Sequence, residues 1–132
     1  MSLHPQDFSV VPEETVRVAR AAFPKGNPYM TLRDELGVVY EDRVFAPLFR
    51  STRGRPAVSP GCLALVTALQ FAEDLTDRQA AEAVRGRIDW KYLMGLELTD
   101  PGFDFTLLHE FRNRLLENEA EQELLDELLK LI

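Results

Sequence analysis

The sequence predicts an all-α fold, a compact bundle of about five to seven short helices containing a helix-turn-helix-like pair. Three observations predict it. Apolar residues recur at i, i+3, i+4 and i+7 spacings through most of the chain; caps and Pro/Gly breakers divide it at short intervals; and no alternating strand pattern competes beyond the short stretch from Leu36 to Tyr40. The 132 residues, 45% of them hydrophobic, suffice for one domain with a core that needs no disulfide or metal.

The first helix is expected over Glu13–Phe23. Pro12 precedes it, Glu13 and Glu14 meet its positive end, and Val16, Ala19 and Phe23 form its apolar stripe. Pro24-Lys25-Gly26-Asn27-Pro28 is a breaker cluster. A short helical turn at Leu32–Leu36 follows, opened by Thr31 and closed by Gly37, and another over Glu41–Leu48 is limited by Pro47. Arg50–Ser59 is a basic connector. Ser59-Pro60 then supplies an N-cap and a first-position proline for a helix running to about Asp74, with Cys62, Leu65, Val66, Leu69 and Ala72 on one face.

Thr76-Asp77-Arg78-Gln79 is a T-x-x-Q capping box that opens a helix closed by Gly86, with Ala80, Ala83 and Val84 inward. Only Leu75 and Thr76 separate this helix from the one before it, a helix-turn-helix arrangement in sequence. Asp89 is expected to cap a third short helix, Trp90–Met94, stopped by Gly95. Leu96–Asp104 forms a turn-rich link. Thr106 caps a helix over Leu107–Glu117 with Leu108, Phe111 and Leu115 inward, and Glu119–Ile132 closes the chain as an amphipathic helix. The single domain thus divides into 1–49, 50–95 and 96–132.

Several chemistries find no support. Cys62 is the only cysteine, which excludes an internal disulfide, and its neighbours Leu65 and Val66 mark it as a small core side chain. His4 and His109 form no ligand pair. Asp100 and Asp104 sit beside Pro101 and Gly102, where aspartate shapes turns, and His109 and Glu110 face different directions on a helix. No phosphate loop, nucleophile elbow or H-E-x-x-H motif is present, so no catalytic or metal-binding residue and no cofactor are expected. The start of the chain has neither a basic nor an apolar leader segment, and no apolar run is long enough to span a bilayer, so a cytoplasmic chain with no membrane partner is expected.

The net charge of -7 argues against a nucleic-acid binder when taken whole. Divided along the chain, it does not. The balance is -2 over residues 1–49, +2 over 50–95 and -7 over 96–132, so the acidity belongs to the C-terminal part. Arg50, Arg53 and Arg55 share the connector, and Arg85, Arg87 and Lys91 cluster after the capping-box helix. Arg78, Glu82 and Arg85 share the face opposite Ala80 and Val84, where arginine could pair with guanine and Gln79 with adenine. The same spacing fits a solvated face with an Arg78–Glu82 ion pair, and Gln79 is already explained as a cap. Trp90 is expected in the core, with Lys91 the exposed member of Trp90-Lys91-Tyr92. The stripe of Leu124, Leu125, Leu128, Leu129 and Ile132 fits either a core helix or a partner face.

An ordered set of segments carries a family resemblance: Ala22-Phe23-Pro24-Lys25-Gly26-Asn27-Pro28, Gly54-Arg55-Pro56-Ala57, Leu69-Gln70-Phe71, Leu75 through Arg85, Arg87 through Tyr92, Gly95-Leu96, Asp100 through Asp104, Leu108, Phe111-Arg112 and Arg114-Leu115. Together they resemble the N-terminal domain of bacterial insertion-sequence transposases of the InsH-like type. The resemblance implies a non-catalytic domain that precedes a D-D-E catalytic domain beyond Ile132, where any divalent metal would be held. It implies binding of the element's terminal inverted repeats, support of synapsis in a homo-oligomer, and a chain that joins the nucleoid when bound to DNA. The candidate DNA contacts are Arg53, Arg55, Arg78, Gln79, Arg85, Arg87, Lys91 and Arg112, the last being either a structural ion-pair partner or a phosphate contact. The alternative is an assembly module, in which Leu124, Leu125, Leu128, Leu129 and Ile132 mediate self-association or docking to the catalytic domain.

Overall fold

The computed structural model describes residues 8–38 and 58–117. These residues form six helices: α1 (Glu13–Ala22), α2 (Pro28–Leu36), α3 (Pro60–Glu73), α4 (Asp77–Gly86), α5 (Ile88–Met94) and α6 (Thr106–Glu117). No strand occurs among the described residues, and Leu36–Val38, the described part of the alternating stretch, is the end of α2 and its exit. The helices expected at Glu41–Leu48 and Glu119–Ile132, with the leucine stripe of the latter, lie outside the described residues.

α2 begins four residues earlier than its sequence predicts. The Asn27 side chain accepts from the Tyr29 N–H at 2.9 Å and Pro28 takes the first helical position. The end of the breaker cluster is therefore a helix start, because a first-turn proline forfeits no intrahelical hydrogen bond. α3 starts as predicted, with Ser59 Oγ accepting from the Cys62 N–H at 3.2 Å. Instead of one apolar face, however, α3 buries every residue from Pro60 to Leu69, whereas Ala72 is exposed. It packs against α4 and α6 and is covered further by Phe8, Val58 and Leu75. The stretch from Pro60 to Leu69, enclosed on all sides, has no polar face to show.

Asp74 ends α3 in the left-handed region (φ 55°), and the Leu75 N–H returns to the Gln70 carbonyl at 2.9 Å. Leu75 and Thr76 then lead into α4. The chain reverses again at Arg87 into α5, which packs against α1, α2 and α4. Six of its seven residues, Asp89–Met94, are buried. Trp90 is fully buried in the core, as expected; Lys91 corrects the sequence reading. It is 2% exposed, and its Nζ donates to the Asp100 carbonyl at 2.6 Å. A short helix held between three others leaves no outward face for it. Burial pulls the Lys91 ammonium below its ordinary pKa, opposed by the nearby Asp100 charge.

Gly95 ends α5 at φ 71°, and a Cβ there would lie 3.0 Å from the Phe8 carbonyl oxygen and 3.3 Å from the Arg33 guanidinium. Arg33, itself buried, donates to the carbonyls of Leu93 (3.0 Å) and Phe8, and so ties the segment before α1 to the end of α5. Gly95→Ala combines left-handed strain with crowding of this junction. We expect a loss of about 1–3 kcal/mol in urea unfolding.

Candidate nucleic-acid interface

α4 follows α3 after the three residues Asp74–Thr76, and its opening turn is held by two devices. Gln79 N–H donates to Thr76 Oγ1 at 3.1 Å and Thr76 N–H donates to Gln79 Oε1 at 2.9 Å, the predicted capping box. Asp77 receives both terminal nitrogens of Arg112 at 2.8 Å, a two-pronged pair between α4 and α6, and the Gln70 amide at 2.8 Å. Hydrogen bonds from Arg112 hold the Asp77 carboxyl below its ordinary value against the opposing effect of burial.

That shift has a pH signature. The pair's contribution is complete above the unfolded value of 3.8 and is lost as pH falls through the lower folded value. Asp77→Asn should therefore cost about 1 kcal/mol at pH 7 and distinctly less at a pH below the unfolded value of 3.8. Urea unfolding at the two pH values checks this; an equal deficit at both contradicts it.

The remaining candidates fall into three groups. Arg87, at the turn between α4 and α5, lies within the fold. It donates to Glu73 at 2.7 Å and to both carboxylate oxygens of Asp89 at 3.1 and 2.8 Å, and its guanidinium lies 5.0 Å from the Trp90 ring centre. Glu73 also accepts from the Tyr29 hydroxyl and from Trp90 Nε1, so one carboxylate on α3 joins α2, α5 and the α4–α5 turn. Burial would raise the Glu73 carboxyl, but the hydrogen bonds from Tyr29 and Arg87 outweigh it and keep it below its usual value. Lys91 belongs to the same inward group. Gln79, in the second group with Arg112, holds its carbonyl oxygen on the Thr76 N–H, so a two-pronged contact with adenine would compete with the capping box.

The third group is Arg78 and Arg85, both exposed on α4. Arg85 donates to the Pro101 carbonyl at 3.3 Å and lies 3.8 Å from Glu82, an ion pair one residue closer in sequence than the expected Arg78–Glu82 pair. Arg78 stacks on Phe105, with 4.1 Å from the guanidinium carbon to the ring centre. Both arginines thus lean on the link between α5 and α6. The link is shaped by Asp100, whose Oδ1 accepts from the Gly102 N–H at 2.8 Å in the expected turn role. Arg53 and Arg55 lie outside the described residues.

Three residues that organise this region escape sequence reading: Phe105, Glu73 and Arg33. Phe105 lies in a turn with no periodicity. Glu73 and Arg33 are charged residues near helix ends, where a solvated position is the ordinary expectation.

Among the described residues no three His, Cys, Asp or Glu side chains are grouped to hold a metal ion, and no helix is long and apolar enough to cross a membrane. A family described as "Transposase domain (DUF772)" matches residues 17–114. No curated protein and no solved structure gives a significant match.

Proposed function

The chain belongs to the DUF772 transposase-domain family, and from that premise we propose that it binds the terminal inverted repeats of a mobile element, with α4 facing the duplex. The observation that carries the reading is the fate of the cations. Arg87, Lys91 and Arg112 are engaged inside the fold, whereas Arg78 and Arg85 stand exposed on the second helix of a helix–turn–helix sequence. Seven residues of helix place them about 10 Å apart along the axis, a span that fits a major groove of about 12 Å. Arg53 and Arg55 on the basic connector add phosphate contacts in this reading. The chain itself carries no catalytic role, and strand transfer falls to a D-D-E domain elsewhere in the transposase.

Binding through few cations should be weak and salt-dependent. With two to four phosphates neutralised, raising salt from 50 to 200 mM should weaken it about 10- to 150-fold. Titration of the chain against labelled duplex from the ends of its element, by fluorescence anisotropy at both salt concentrations, tests this. Absence of binding, or binding without a salt slope, defeats the reading.

A second reading is favoured by Phe71 on α3 and Leu116 on α6, which are 70% and 55% exposed. In this reading these exposed side chains, and by sequence the stripe of Leu124, Leu125, Leu128, Leu129 and Ile132, serve self-association in synapsis. Its readout is the oligomeric state in sedimentation, which is independent of DNA.

A further inference from the structure

We infer that Arg78 reads a base, taking the O6 and N7 acceptors of a guanine at one position of the duplex, and that Phe105 is the residue that positions it. The inference rests on the reading of α4 as the DNA-facing helix and adds the base chemistry and the supporting residue.

Arg78 is the second residue of α4, in the turn from which a groove-bound helix reaches base edges. Its guanidinium differs from those of its neighbours. Arg85 lies near Glu82 and Arg87 is held by Glu73 and Asp89, but no carboxylate pairs with Arg78 among the described residues. Its guanidinium instead lies over the face of Phe105, 4.1 Å from the ring centre. Stacking of this kind fixes the plane of the guanidinium while leaving its N–H donors, which lie in that plane, unspent. A side chain that would otherwise lose rotamer freedom on binding is thus partly ordered beforehand.

The surroundings support the same use. The one carboxylate at the start of α4, Asp77, is neutralised by the two-pronged bond from Arg112, so the first turn presents Arg78 as its uncancelled charge. Phe105 is itself set by the opening of α6, where the Leu107 and Leu108 N–H groups bond to the Asp104 and Phe105 carbonyls at 3.0 and 3.1 Å. A phosphate contact needs only a nearby positive charge, whereas a paired contact to guanine needs an oriented fork. An ordered, unspent fork at this position therefore favours the base edge.

The test uses the full chain and labelled end duplexes in which each guanine in turn is replaced by 7-deazaguanine, which lacks the N7 acceptor. The wild type should lose about tenfold in affinity at one guanine and little at the others. Arg78→Lys keeps the charge without the planar fork; it should bind the unmodified duplex about tenfold more weakly and be indifferent to that guanine. Phe105→Leu should lose the same discrimination and Phe105→Tyr should keep it, with thermal melts of each variant reporting folding. Salt-dependent binding with a flat guanine scan makes Arg78 a phosphate contact and overturns the inference, while the function proposed above stands. Discrimination that survives in folded Phe105→Leu overturns the positioning role. Absence of salt-dependent binding by the wild type overturns the DNA reading, and this inference with it.

Discussion

Replacing Trp90 with alanine is expected to lower the unfolding free energy by about 3–5 kcal/mol, a large part of the stability a domain of this size carries. Trp90, on α5, is fully buried and belongs to the main apolar cluster with Val66, Leu69, Val84, Leu93 and Phe111. Its loss leaves a cavity where α5 meets its neighbours. It also removes the Nε1 hydrogen bond to Glu73 and the ring beneath Arg87, in a network that ties α2, α3 and α5 together. Trp90→Phe keeps most of the volume but not the hydrogen bond, and should fall between the two. Urea unfolding followed by circular dichroism measures both, since the substitution removes the chain's one tryptophan. A cost for Trp90→Ala below about 1 kcal/mol contradicts the central placement of this side chain.

The combined reversal Arg78→Glu with Arg85→Glu is expected to weaken binding to end-repeat duplex by about 100-fold, because two favourable contacts become two repulsions on the helix proposed to face the duplex. The fold should survive it. Arg78 gives up one exposed stacking contact worth about 0.5–1 kcal/mol, and Arg85 an ion pair whose partners are 61% and 73% exposed, which contributes little. The charge-matched control is Arg17→Glu with Lys25→Glu, at exposed positions on α1 and on the turn that follows it. It changes the net charge equally and should cost far less affinity. Equal losses in the two variants would mean that only total charge matters.

The elements of this fold were legible where a cap states them locally. Ser59-Pro60, the Thr76/Gln79 box and Gly95 mark helix ends through hydrogen bonds or backbone angles that two to four residues decide among themselves. Pro28 misled because a proline that breaks one helix can open the next, and only the Asn27 cap tells the two apart. The burial of Lys91 and the pairing of Arg87 with Glu73 were not legible. Both depend on which helices lie beside α5, a tertiary fact that composition and periodicity do not contain. The candidate site followed the same division: Arg78 and Arg85 could be placed on one helical face from their spacing, but Phe105, 27 residues further along the chain from Arg78, could not be matched to it.

The central claim is that α4 presents the DNA-binding cations of this transposase domain. Its most direct test is the slope of log affinity against log salt for end-repeat duplex, compared between the wild type and the Arg78→Glu, Arg85→Glu variant. If both arginines act at the duplex through phosphates, the slope should fall by about 2; if Arg78 is spent on a base edge, it should fall by about 1, with the affinity loss unchanged. A variant that keeps the wild-type slope and affinity would contradict the claim and move the DNA-binding surface away from α4.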